Sequence, residues 1–196
     1  MTLDPRRVAV LALHWQVNVI KPEGFFGGML AEPVAQSGVV DRATRFHESV
    51  GVPVAFTRFT VPVGEGALVR NTGFMKAVGD AQEAFRPDSH GAALIPEMAG
   101  QAAQVFDNQK LSGLAGSELP EWLTEHAIDT VFITGVATNL TVEQTARHGT
   151  DLGLTVHVIS DCVTAATEEA HLASLANLDL ATAGGLTAAE ALAMLG

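Results

Sequence analysis

One cysteine, Cys162, stands alone among 196 residues, so the chain holds no internal disulfide and no multi-cysteine metal site. Lysine is nearly as scarce, present only as Lys21, Lys76 and Lys110. With no basic cluster and a formal net charge of −11, nucleic acid and anionic membrane surfaces are excluded as partners. No run of about 18 apolar residues occurs, and the N-terminus Met1-Thr2-Leu3-Asp4-Pro5-Arg6-Arg7 carries no apolar signal segment. The expectation is a soluble, cytoplasmic protein. Charged residues amount to only 17% against 47% hydrophobic, which excludes a disordered chain. Low charge with abundant Ala, Val and Leu fits subunits that bury surface against each other, as a homodimer or higher homo-oligomer.

What is present is a series of short apolar runs: Val8–Leu13 and residues 52–56, 104–106, 130–134 and 154–159. They are nearly continuous rather than alternating, the pattern of strands covered on both faces. Helical patterns at 30–49, 117–126, 141–153, 167–178 and 187–195 lie between or after them. Strand–helix alternation predicts a Rossmann-like three-layer α/β/α sandwich with a mainly parallel central sheet and right-handed crossovers. The length suits one domain spanning 1–196, with no repeat and no linker. Residues 60–96, with scattered Gly and Pro, read as an irregular pocket-forming excursion. In such a sheet the ligand sits beyond the C-terminal strand ends. That places His14, Arg58, Asn108 and the turn 136–141 around one crevice.

The segment Val131-Phe132-Ile133-Thr134-Gly135-Val136-Ala137-Thr138-Asn139-Leu140-Thr141 reads as a buried strand entering a turn and then a helix N-terminus. It resembles the nucleophile turn of the isochorismatase-like (cysteine hydrolase) superfamily, where G-V-x-T-N-x leads into a catalytic cysteine. The run Val8 to Leu13 followed by His14-Trp15-Gln16 is similar to the family's first strand and its D-x-Q. Gly51-Val52-Pro53-Val54-Ala55-Phe56-Thr57-Arg58 is similar to its second strand. Asn108-Gln109-Lys110-Leu111-Ser112-Gly113-Leu114-Ala115-Gly116-Ser117-Glu118-Leu119 is similar to its K-x-x-x-S-x-F-x-G-T-x-L segment. Thr145-Ala146-Arg147, Asp161 and His171 fall where the family often has the same residues.

The resemblance implies a hydrolytic Asp/Lys/Cys triad, and all three positions differ: His14, Asn108 and Thr141 stand there. Lys110 comes two residues late, about 7 Å further along the same face of a strand. It either partly replaces the lost ammonium or is a solvated lysine. A thiolate mechanism needs a cysteine with a lowered pKa, and Thr141 offers only a hydroxyl that needs a base beside it. Thr141 followed by Gln144 also matches a helix capping box. Cys162, after Asp161, reads as structural. His14 titrates near neutrality and suits acid–base work, unless it is a neutral histidine held by Asn108 or a backbone carbonyl. Asn108 orients His14 or binds a carbonyl oxygen.

Gln16, Arg58, Lys110, Val136 and Ala137 are expected to contact substrate, with Arg58 and Arg147 as candidates for a carboxylate. Trp15, Phe25, Phe26, Met29, Phe74 and Met75 form an apolar lid or a dimer face, or belong singly to the core. The resemblance further implies a cis peptide between Val136 and Ala137. No metal and no cofactor is expected: His90, His148 and His157 show no ligand spacing, and the D-x-H of metal-binding nicotinamidases is absent after Arg58.

The expectation is an enzyme doing non-thiol acid–base chemistry (hydrolysis, elimination, isomerisation or cyclisation) on a small carbonyl- or carboxylate-bearing metabolite, in a biosynthetic pathway. The family's isochorismatase branch itself lacks the cysteine and uses its Asp as proton donor to a vinyl ether. Two alternatives stand beside it: an ester or amide hydrolase using Thr141 or activated water, and an inactive binding or scaffold homologue whose site is filled by side chains.

Overall fold

The computed structural model describes residues 2–196. Five strands form an all-parallel sheet in the order β3-β2-β1-β4-β5, with β1 at Val8–Leu13, β2 at Val54–Phe59, β3 at Gln104–Asn108, β4 at Thr130–Val136 and β5 at Thr155–Thr164. The helices are α1 (Val17–Ile20), α2 (Gly27–Ser37), α3 (Val39–Ser49), α4 (Gly73–Asp80), α5 (Pro96–Ala99), α6 (Leu119–Glu125), α7 (Glu143–Asp151), α8 (Glu168–Ala181) and α9 (Ala188–Leu195). Every residue of β1 and β4 is buried. That is why their sequences are unbroken apolar runs: both faces of the sheet are covered. Side chains alternating along β1 divide between two cores. Val8, Val10 and Ala12 pack with Phe46 of α3 on one face; Ala9, Leu11 and Leu13 pack with Leu119 and Leu123 of α6 on the other.

The expected helix at 30–49 is two helices, because Gly38 adopts φ 65°, a left-handed conformation that ends α2 and turns the chain into α3. The expected strand at 154–159 runs on to Thr164. A register irregularity between Ile133 and Gly135 lets Gly135 pair with Val163 and Val136 with Thr164, so Asp161 and Cys162 lie within β5 rather than beyond it. The excursion 60–96 contains α4 and two short 3-10 turns, and its Phe85 packs with Phe59, Val61, Met75 and Val78 in a small separate core. No helix of the described residues is long and apolar enough to cross a membrane.

Candidate active site

β1 ends at Leu13, and His14 then takes φ 54°, its amide donating to the Thr57 carbonyl at 3.1 Å. Histidine is among the few non-glycine residues that enter this left-handed region with some frequency. The turn swings its side chain beyond the sheet, where it lies edge-on to Phe59 with ring centroids 6.2 Å apart. His14 is only 6% exposed and its Nε2 has no hydrogen-bond partner. Burial pushes its pKa down from 6.5 to about 4. The expected titration near neutrality is therefore corrected: the resting imidazole is neutral at pH 7 because the crevice has too little water to solvate an imidazolium.

At the end of β4 the Val136–Ala137 peptide is cis, and the chain enters a single turn of π-helix, Thr138–Val142, before α7. Thr138 Oγ1 lies 2.9 Å from His171 Nδ1, tying this turn to α8. The Thr141 hydroxyl donates to the Leu111 carbonyl at 2.8 Å. This replaces the expected capping box with Gln144: the helix start is continuous with the π turn, so Thr141 is helical in its backbone and its hydroxyl reaches outward to a neighbouring loop.

His14, Val136, Ala137 and Thr141 share the wall of one cavity of about 90 Å³. Asn139 and Leu140 continue the wall beside Thr141, and Leu111 joins them. Opposite lie Phe26, Met29 and Leu30 around the start of α2, and Phe74 of α4. Phe26 and Phe74 stack almost parallel, 7° apart with centroids at 5.5 Å. The lining is nearly all apolar. Of the six residues expected as a lid or dimer face, Phe26, Met29 and Phe74 serve the cavity. Phe25 packs edge-on against Phe26, while Trp15 and Met75 are buried in the cores. Asn139 and Leu140 belong to the turn 136–141 expected at the crevice, whereas Leu111 had no sequence signal as a lining residue, being a single side chain from a separate loop.

Five expected site residues lie elsewhere. Arg58 pairs across the sheet with its register partner Asp107 through two bonds of 2.8 and 2.7 Å, so its charge is spent on the β2–β3 edge. Gln16 holds the backbone: its Nε2 donates to the Phe59 and Ala92 carbonyls and its Oε1 accepts from the Phe59 amide. Lys110 opens onto a separate groove shared with Arg147 and His148. Asn108 is fully buried and makes no bond to His14; its Nδ2 donates to the Ser112 and Ala115 carbonyls at 2.6 and 3.0 Å, leaving Oδ1 unpartnered. It shapes the loop that carries Leu111. Arg147 is occupied by Glu143 one turn away.

Cys162 is buried in β5, and burial first, then the neighbouring Asp161 carboxylate, pushes its thiol up to about 12. Among the described residues no group of three or more His, Cys, Asp and Glu is arranged to hold a metal ion.

A family model described as the isochorismatase domain matches residues 8–190. The uncharacterized isochorismatase family protein YwoC of Bacillus subtilis (strain 168) is 33% identical over 85 residues, 43% of this chain and 45% of that protein. The match thus spans less than half the length of that curated relative. Among solved structures, a cysteine hydrolase from Pseudomonas syringae pv. phaseolicola 1448A has a TM-score of 0.83 at 20% identity, over 100% of this chain and 95% of that one. An isochorismatase family protein from Burkholderia thailandensis has a TM-score of 0.77 at 25% identity, over 99% and 97%.

Proposed function

Because the chain belongs to the isochorismatase family, we propose that its crevice is the reactive site of a hydrolase-like enzyme that works by acid–base chemistry without a thiol. His14, Asn108 and Thr141 stand in for the family's Asp, Lys and Cys, and only His14 retains a group that exchanges protons. The observation that carries this reading is the His14 imidazole: buried, its Nε2 without a hydrogen-bond partner, and in the wall of a cavity that the β4 turn also lines. A neutral imidazole is a proton acceptor. It takes a proton from water or from a carbon beside the substrate carbonyl, and returns it later in the cycle.

The bonds around the site weigh against the other readings. The Thr141 proton is donated to a backbone carbonyl, which is no base, so a threonine nucleophile lacks its activating partner. The cavity is open rather than filled by side chains, which favours a ligand-handling protein over an inactive scaffold.

His14→Ala is expected to lower kcat by at least about 10²-fold, the usual worth of a positioned acid or base. The pH profile gives an independent check. The neutral form is the active one, so kcat/KM stays level from pH 8 down to about 5.5 and falls as pH drops through about 4. Near wild-type turnover in folded His14→Ala, or an acid limb at 6.5, would overturn the proposal.

A further inference from the structure

We infer that the crevice takes an uncharged, largely apolar carbonyl compound, and that the wall formed by Phe26, Met29 and Phe74 sets this preference. The inference rests on the reading of the crevice as the reactive site and deepens it by giving the substrate class. Among the described residues, no lysine, arginine, aspartate or glutamate lines the cavity. The nearby cations are engaged elsewhere. Arg58 is held bidentately by Asp107, and Arg147 by Glu143. Arg42 donates to the Asp161 and Ser37 carbonyls. Lys110 faces its own groove.

A carboxylate entering the cavity would shed its hydration and find no counter-charge, at a cost of several kcal/mol. Nor does His14 supply one, since burial keeps it neutral. The net charge of −11 repels anions at longer range. A neutral carbonyl meets the opposite situation. Its apolar body displaces water from aromatic and aliphatic walls, and its one polar atom faces a site whose only titratable side chain, the imidazole, lacks a partner. An apolar cavity of roughly 150 Å³ takes a benzene ring. The 90 Å³ here takes a short alkyl chain or the edge of a ring, with the remainder at the mouth beside Met29, which is 56% exposed.

The test uses isosteric pairs in which a methyl group replaces the anionic oxygen: 2-pentanone against butanoate, and acetophenone against benzoate. Affinities are measured by calorimetry on the whole protein at pH 7.5. The ketone of each pair is expected to bind at least about tenfold more tightly than its carboxylate. Met29→Lys, which puts a cation at the mouth on an exposed position, should shrink that ratio below about threefold. Equal or tighter binding of the carboxylates, no binding of either ketone at millimolar concentration, or an unchanged ratio in Met29→Lys overturns the inference. The ratio should persist in His14→Ala even where both affinities fall. Failure of the acid–base reading would show in turnover and leave this ratio untouched.

Discussion

His14 is legible in the sequence because it breaks an apolar run at the residue where a strand must end; its protonation state is not. The titration depends on how completely residues far along the chain, such as Phe59 edge-on to its ring, enclose it. The same division runs through the other site residues. Val136, Ala137 and Thr141 are found from their local turn. Arg58, Gln16 and Lys110 are misplaced: the partner of Arg58, Asp107, is fixed only by strand register, the backbone groups that Gln16 binds belong to distant segments, and β3 ends at Asn108, so Lys110 lies beyond the strand that the spacing assumed. Two residue-scale outcomes follow. Cys162→Ala should keep activity within a few-fold and lose only about 1 kcal/mol to a small cavity, and the native thiol should resist alkylation at pH 8, since its pKa is near 12. Rapid labelling of the folded protein, read by mass spectrometry, would contradict this. Asn108→Ala removes both donors of the loop carbonyls at Ser112 and Ala115 and should cost about 2–3 kcal/mol in urea unfolding. It should raise KM more than it lowers kcat, because the loop carrying Leu111 loosens while His14 stays in place.

At the scale of elements, the five strands and their order of appearance are readable from apolar runs, with both ends of β1 and the starts of β3 and β4, whereas the C-terminal ends of β2 to β5 are not. β5 outlasts its apolar signal because pairing resumes beyond the irregularity, so polar Asp161 sits within a strand. The α2–α3 break at Gly38 is not legible in the apolar pattern, since Val34 before it and Val39 after it are buried in the same core. The β4 turn depends most on one residue. Gly135 has φ 144°, and a Cβ there would lie 2.4 Å from the Leu13 carbonyl oxygen and 2.8 Å from Leu13 Cβ. Neither contact can be relieved by rotating a side chain, so β4 and the end of β1 must separate. Gly135→Ala is expected to destabilise the protein by more than about 3 kcal/mol and to abolish turnover by displacing His14 along with its strand. Thermal unfolding with a parallel activity assay measures both, and a stable, active variant would show that the two strand ends do not need this close approach.

At the scale of the molecule, the buried His14 and His47 make stability depend on pH. His14 and His47 both have folded pKa values of about 4, lowered by burial, against about 6.5 when exposed. His47 sits under the sheet with its Nε2 2.9 Å from Thr134 Oγ1. Between those values the unfolded chain binds protons that the folded one refuses. Stability is therefore full above pH 6.5 and falls as pH drops toward 4, with a slope of at most about 2.7 kcal/mol per pH unit near pH 5 for the pair. Urea titrations at pH 7, 6 and 5 measure the slope, and His14→Gln should roughly halve it. A flat profile over that range would mean that neither ring is buried as described.

The sheet order has one more consequence, in time rather than space. β1 lies at the centre, and one of its two neighbours is β4, with Val8 paired to Thr130. The strand made first therefore waits for the fourth before its second edge is covered. Parallel pairings between such distant segments form slowly, because the loop must close before any contact rewards it. His14 and Thr141, which both line the crevice, follow directly on β1 and on the turn after β4, the two members of this late pair. A nascent chain cannot offer a finished site until β4 has left the ribosome, and truncated chains ending before Thr130 should expose the β1 edge and bind no ligand at all.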